Sequence, residues 1–194
     1  MDLQALILCG GKSSRMGADK STLLTKGIPF FEKIARESDD LGLPVVLSCR
    51  ADQKEVVNSG RNYLLDKSKA EGPMKGMHSA YQQHPKQAWL VLTVDMIKID
   101  SRLLSLLIQS RKPDAMATVF DISGANEKTF PVPFPGIYEP AFFTDMEKRI
   151  AKGQFSIRQM ILQSDAKLLP CPYPEKMINI NTPEDLSNLL KKKT

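Results

Sequence analysis

The sequence predicts an α/β fold, a three-layer α/β/α, Rossmann-like arrangement with a mostly parallel central sheet. Three observations lead there. Short apolar runs bounded by turn or polar residues recur along the chain, amphipathic segments lie between them, and the first run empties into a cationic glycine turn, Leu6-Ile7-Leu8-Cys9-Gly10-Gly11-Lys12. Buried strands alternating with helical segments are the pattern of a sheet covered by helices. A glycine turn at the carboxyl end of the first strand is a favoured phosphate site in such sheets, because bare backbone lets N–H groups approach oxygens closely.

Taken in order, the strand signals are Leu3 to Leu8, Val45-Val46-Leu47, Tyr63-Leu64-Leu65, Trp89 to Val94 and Ala115 to Phe120. They are short, mostly apolar runs bounded by turn or polar residues, as expected of buried strands. Helical stripes lie between and after them. Ser101 precedes Leu103, Leu104 and Leu107; Pro140 opens a segment with Phe142, Phe143, Met146 and Ile150 that Gly153 closes; Ser156 precedes Ile157, Met160 and Ile161. At the end of the chain Thr182 stands at an N-cap, Pro183 in the first turn and Asp185 three residues past the cap, with Leu186, Leu189 and Leu190 on one face. Prolines 131, 133 and 135 predict that residues 122–138 form an irregular excursion or an edge hairpin rather than a central strand.

The bulk composition excludes several classes. With 194 residues the chain can bury about 70% of the surface its unfolded form exposes. Apolar residues make up 42% and charged residues 25%, and no apolar run approaches the roughly 18 residues that span a bilayer. The start, Met1-Asp2-Leu3-Gln4, lacks the features of a signal peptide, so the expected location is the cytoplasm. Cys9, Cys49 and Cys171 have neither disulfide-framework nor zinc spacing and read as buried thiols. The 27 Lys and Arg against 22 Asp and Glu are compatible with anionic ligands but spread too evenly for a nucleic-acid stripe, and Lys191-Lys192-Lys193 reads as a solvated fringe. Neither nucleic acid nor a membrane is expected as a partner.

The glycine turn fits neither of two familiar phosphate fingerprints. Leu6 stands where a P-loop requires its first glycine, and no G-x-G-x-x-G occurs. What remains is a turn carrying Lys12, Arg15 and Lys20, cations able to neutralise a triphosphate. Asp95, at the end of an apolar strand on the same edge, is where a hard cation bridging phosphates would find an oxygen ligand. Asp100 is better placed to cap the next helix, and His78 and His84 read as structural.

LILCGGKSSRMGADK, residues 6–20, closely resembles the L-A-G-G-x-S-x-R-M-G-x-D-K signature of the molybdenum cofactor guanylyltransferases, within the wider nucleotidyltransferase family. Cytidylyltransferase relatives tend to carry two alanines before the glycine and Pro-Lys in place of Asp19-Lys20, so the resemblance favours guanine. It continues at Asp66 and Gly72-Pro73-Met74-Lys75-Gly76, similar to D…G-P-L-x-G, and at Trp89 to Met96, similar to a strand ending in Asp-x-Pro. Phe134-Pro135-Gly136-Ile137-Tyr138, Gly153 to Arg158, and Asn179-Ile180-Asn181-Thr182-Pro183 resemble the family's P-x-P-G-x-Y, G-x-x-S-x-R and N-x-N-T-P stretches.

That resemblance implies a nucleotidyltransferase fold in one domain over residues 1–194, the first hundred or so binding nucleotide and the rest completing an acceptor pocket. It implies Mg²⁺-dependent transfer of GMP from GTP to molybdopterin, with release of pyrophosphate. Arg15, Lys20 and Asp95 would be catalytic, with Asp95 also the metal ligand. Leu8, Cys9, Gly10, Gly11, Lys20, Arg50, Asp66 and Asp95 would bind the nucleotide, and Gly72, Gly76, Asn179 and Asn181 the pterin. Molybdoenzymes or their chaperones would be further partners. Two departures keep other readings open: Met96-Ile97 replaces the usual x-Pro, and Arg50 stands where relatives carry an asparagine. The alternatives are transfer of another nucleotide or to another phosphate acceptor, and a relative that binds nucleotide or cofactor without chemistry.

Overall fold

The structure, a computed structural model, describes residues 2–11, 19–124, 127–182, 184, 185 and 187. In chain order its elements are β1 (Leu3–Leu8), a 3-10 turn (Lys20–Thr22), β2 (Leu24–Thr25), β3 (Ile28–Pro29), α1 (Phe30–Asp39), β4 (Val45–Cys49), α2 (Lys54–Val57), β5 (Tyr63–Leu65) and α3 (Pro73–Gln83). There follow β6 (Ala88–Thr93), α4 (Ser101–Gln109), β7 (Ala117–Asp121), β8 (Pro131–Tyr138), α5 (Pro140–Ile150), α6 (Ile157–Leu162), β9 (Ala166–Pro170) and a second 3-10 turn at Pro174–Met177.

Among the described residues seven strands make one sheet in the order β5-β4-β1-β6-β8-β7-β9, while β2 and β3 form a separate small hairpin. Only the pairings of β8 with β6 and β7 are antiparallel, which gives the mostly parallel sheet expected. Alternate residues of each strand feed two cores. On one face Ala5, Ile7 and Leu47 pack with Phe30 and Ile34 of α1 and Leu103 and Leu107 of α4. On the other, Leu6, Leu8 and Val91 pack with Met74 and Met77 of α3, Phe142 and Phe143 of α5, and Met160 of α6. These are the three layers. Each fully buried side chain of this kind contributes roughly 1.5–3 kcal/mol relative to its exposed state, so the strand order is fixed by which apolar runs are hidden on both sides.

The chain leaves β1 toward α1 on one face and arrives at β6 from α3 on the other. The strand order therefore reverses between these two neighbours, and the crevice outside their carboxyl ends is where open α/β sheets place ligands.

One expectation is overturned in part: of residues 122–138, the described 122–124 and 127–130 lie in an irregular connection as expected, but the rest does not. Residues 131–138 form β8, an internal strand between β6 and β7, not an excursion or an edge hairpin. Pairing is two-sided only over the proline-free Gly136–Tyr138, which face Val91 to Trp89 on β6 and Val119 to Ala117 on β7. The register slips between Val119 and Phe120, so Pro133 and Pro135 fall in the irregularity, and Pro131 pairs with β7 alone. The prolines lack ladder donors where few are needed.

Helix starts were more legible. Asp100 caps α4 by accepting from Leu103 N at 3.0 Å, and Ser156 caps α6. Thr182 Oγ1 accepts from Asp185 N at 3.1 Å while Asp185 Oδ2 accepts from Thr182 N at 2.8 Å, a reciprocal cap. Pro183, Leu186, Leu189, Leu190 and the lysine tail lie outside the described residues. Among the described residues no helix is long and apolar enough to cross a membrane.

Candidate active site

The glycine turn leaves β1 under close control. Cys9 N and Gly10 N both donate to Ser48 O of the neighbouring β4, at 2.8 and 3.3 Å, so the turn starts pinned to the sheet. The Cys9 side chain points into the core and is 3% exposed; burial pushes its thiol pKa well up and that of Cys49 to about 11, which leaves both as inert protonated thiols. Any ligand contact from Cys9 thus falls to its backbone, and its carbonyl already accepts from Gln53 Nε2 at 3.0 Å.

Beside Gly10 and Gly11 opens a pocket of about 210 Å³, walled by Leu8 and Ser48 from the sheet, Asp66 after β5, and Gly72, Lys75 and Gly76 at the start of α3, with Arg50 at its rim. The carboxyl group of Asp66 lies directly over Gly10, so close that a Cβ there would meet Asp66 Oδ2 at 2.1 Å. Ser48 Oγ donates to the other oxygen in a short hydrogen bond. Burial raises the Asp66 pKa, and the Ser48 bond and the charges of Lys75 and Arg50 pull it back only in part. Gly76 is needed for the same assembly: a Cβ would strike Ser48 Oγ at 2.3 Å and Leu8 Cδ2 at 2.8 Å. Gly72 caps α3 at φ 56°, a left-handed conformation that favours glycine.

Across the switch point lies a second cluster. Lys20 Nζ sits 3.4 Å from Asp95 Oδ2 and donates to Asn181 Oδ1 at 2.8 Å. Asp95 Oδ1 accepts from Thr93 Oγ1 at 2.7 Å, and Ile180 N donates to Asp95 O at 2.9 Å, which ties the segment holding Asn179 and Asn181 to the end of β6. The loop lacks the x-Pro of the resemblance, yet Met96 and Ile97 are buried at 1% and 5% exposure and anchor it by packing. Lys20 is itself set by Asp19, whose carboxylate caps the 3-10 turn by accepting from Ser21 N and Ser21 Oγ at 2.9 and 2.7 Å. Burial alone would raise the Asp19 pKa, but these bonds, with Gln53 and Arg50, hold it below the usual carboxylate range.

The structure brings Lys20, Asp95 and Asn181 together, and separately Leu8, Gly10, Gly11, Arg50, Asp66, Gly72 and Gly76. The four residues expected at the pterin therefore divide: Gly72 and Gly76 line the pocket, Asn181 stands at the Lys20 cluster, and Asn179 is exposed nearby. Arg15 and Lys12 lie outside the described residues. Sequence reasoning passed over Ser48, Gln53 and Lys75, and only the match of Lys75 to the x of G-P-L-x-G hinted at a place for it. His78 is buried between Ser68 and Glu147, a structural position as expected. Among the described residues no three His, Cys, Asp or Glu side chains converge as a metal-binding group.

A mostly parallel sheet whose switch point is flanked by a glycine turn, an acid-floored pocket and a Lys–Asp pair has the architecture of the α/β proteins that place ligands beyond their strand ends. Within that class the chain belongs to the family of the MobA-like NTP transferase domain, whose model matches residues 5–168. It is 28% identical over 192 residues to a molybdenum cofactor biosynthesis bifunctional protein of Synechocystis, covering 96% of this chain but only 53% of that longer protein. It is 27% identical over 200 residues to a probable molybdenum cofactor guanylyltransferase of Flavobacterium johnsoniae, with 96% of each covered. In three dimensions it is similar to the molybdopterin-guanine dinucleotide biosynthesis protein A of Archaeoglobus fulgidus, with a TM-score of 0.80 at 21% identity over 100% of this chain and 98% of that one, a likeness of fold.

Proposed function

We propose that the chain transfers GMP from GTP to the terminal phosphate of molybdopterin. A phosphate oxygen of the acceptor attacks the α-phosphorus, a new P–O–P bridge forms, the bond from the α-phosphorus to the β-bridging oxygen breaks, and pyrophosphate leaves. The acceptor phosphate is already largely ionised at neutral pH, its second pKa being about 6, so no side chain has to remove a proton. Positioning and charge neutralisation are what the protein must supply.

One observation carries this reading: Lys20 and Asp95, 75 residues apart, meet at 3.4 Å beside the glycine turn. The acidic pocket suits the base rather than the phosphates, because Asp66, an acceptor when ionised, repels anions and suits the N–H edge of guanine. The triphosphate then runs over Gly10 and Gly11 toward Lys20, whose ammonium counters its charge. Residues 1–100 would hold GTP and the later part, with Asn179 and Asn181, the acceptor, in a cytoplasmic enzyme.

The residues present fit Mg²⁺. This ion uses one or two carboxylates together with substrate phosphates rather than an all-protein cage, and Asp95 offers Oδ2 toward Lys20 while Thr93 holds Oδ1. Asp95 would hold the ion, which when bound supplies further charge neutralisation at the phosphates.

Asp95→Asn tests the proposal, since the amide oxygen keeps the Thr93 bond and the fold. Pyrophosphate release with GTP and molybdopterin should fall by at least about 100-fold, the usual effect of removing one electrostatic group from such a site. Undiminished turnover would sink the reading, as would calorimetry showing CTP or ATP bound more tightly than GTP.

A further inference from the structure

Arg50 follows β4, and its guanidinium spreads over three acceptors. Nη1 donates to Gly11 O at 2.9 Å, Nη2 to Asp19 Oδ2 at 3.1 Å and Nε to Asp52 Oδ1 at 3.0 Å. Gly11 and Asp19 are the described residues on either side of positions 12–18, so a single planar group links both ends of that stretch. Gln53 doubles the link. Its side chain is nearly fully buried, its Nε2 donates to Asp19 Oδ2 at 2.7 Å and to Cys9 O at 3.0 Å, and its Oε1 accepts from Arg50 N at 2.8 Å. Asp19 passes the constraint on, because its other oxygen caps the turn that begins at Lys20. A continuous path of bonds thus runs from Arg50 through Asp19 to the backbone carrying the Lys20 ammonium.

With Nε, Nη1 and Nη2 each already anchored to an acceptor, Arg50 is poorly placed to turn and read a base. The pocket holds another cation for that, Lys75, whose ammonium makes no hydrogen bond or ion pair among the described residues and whose charge is felt by Asp66. We propose that Arg50 is a positioning residue: it clasps Gly11 to Asp19 and so sets Lys20 against Asp95 and Asn181, and it does not select the nucleotide. This rests on the reading of Lys20 as the counter-charge to the phosphates. The residue type suits the task, since a guanidinium spans two acceptors with fixed geometry, whereas a lysine offers a point charge that satisfies one of them.

The test is a cycle of Arg50→Ala, Arg50→Lys, Lys20→Ala and the double variant Arg50→Ala/Lys20→Ala, each corrected for folded fraction by circular dichroism. Turnover and calorimetric affinity are measured with GTP, ATP and CTP. Displacing a group by about 1 Å can reduce rate by about 100-fold, so Arg50→Ala should lose between about 10- and 100-fold in kcat/KM with each nucleotide, leaving their ratios unchanged. Arg50→Lys should recover little of that loss. In the Lys20→Ala background, removing Arg50 should cost nothing more, because residues acting through one another are non-additive. A change in the GTP-to-ATP ratio would make Arg50 a base reader and overturn the proposal, and so would wild-type activity of Arg50→Ala or losses that multiply in the double variant. A Lys20→Ala variant that works like wild type would instead overturn the phosphate-side reading, and the positioning role with it.

Discussion

Gly10 is the position where adding one methyl group tests the geometry of the whole pocket. A Cβ there would lie 2.1 Å from Asp66 Oδ2 and 3.3 Å from the carboxyl carbon, and contacts under 3.0 Å essentially never occur. Asp66 must therefore move in Gly10→Ala, and in moving it gives up the bond from Ser48. A hydrogen bond to a charged group is worth about 1.5–3 kcal/mol net. Release of the carboxylate from its burial offsets part of this, so the lower end is the expected loss at neutral pH. For a chain of this size that corresponds to a Tm lower by about 3–6 °C. If Asp66 faces the base as proposed, GTP affinity should fall by about tenfold or more, because that acceptor has been displaced. Thermal melts and calorimetric titration measure the two losses. The double variant Gly10→Ala/Asp66→Ala separates them: with the obstructing carboxyl gone it should recover most of the stability and none of the affinity. A Gly10→Ala protein that melts and binds GTP like wild type would refute the close approach of turn and carboxylate.

Two further outcomes follow from the same kind of reasoning. Because burial raises the Asp66 pKa in the folded state, the fold loses stability as pH rises from the unfolded carboxyl range through that raised value. Asp66→Asn keeps an acceptor for Ser48 but cannot ionise, so its stability relative to wild type should be greater near pH 7 than near pH 4 in urea melts, with GTP binding weakened; a pH-independent difference would contradict the assignment. Arg111 grips Glu139 through Nε and Nη2 at 2.6 and 2.9 Å where α4 meets the junction of β8 and α5, and Glu139 is 4% exposed. Glu139→Ala removes two charge-assisted hydrogen bonds from the half-buried guanidinium and should cost about 1.5–3 kcal/mol in denaturant unfolding, whereas Arg111→Met/Glu139→Leu should lie much nearer wild type; equal losses in the two would show the pair to be stabilising in itself.

The elements that were legible in the sequence are those whose side chains are buried from both faces. β1 and β6 are nearly continuous apolar runs, interrupted only by Gln4 and Thr93, because helices cover them on either side, and their ends carry the glycine turn and Asp95 to neighbouring positions. What escaped was set by pairing partners that no local pattern encodes. β8 looks unlike a strand because its prolines sit where the register slips, a fact that belongs to β7 as much as to β8. β9 escaped because it is a half-buried edge strand, with Lys167 among its five residues and no fully buried stripe. Arg50 was legible as a departure from the asparagine that the resemblance implies, but its partners were not: Gly11 and Asp19 reach it only because β1 and β4 pair in register, bringing Leu8 opposite Ser48.

The loop after β6 shows how a site can keep its aim with a different local device. A proline two residues past the aspartate would restrict the backbone through its fixed φ. This chain has Ile97 there, and the restriction comes from burial instead: Met96 and Ile97 sink into the core beneath α1 and α4, each contributing roughly 1.5–3 kcal/mol. Met96 N closes a tight turn on Thr93 O at 3.2 Å, Thr93 Oγ1 fixes one carboxylate oxygen, and Ile180 N fixes the Asp95 carbonyl. Asp95 is thus held by one bond to its carboxylate, one to its carbonyl and a turn closed across its own loop, independently of Lys20. A departure from a motif weakens a site only if nothing else performs the lost restraint, and here two apolar side chains perform it.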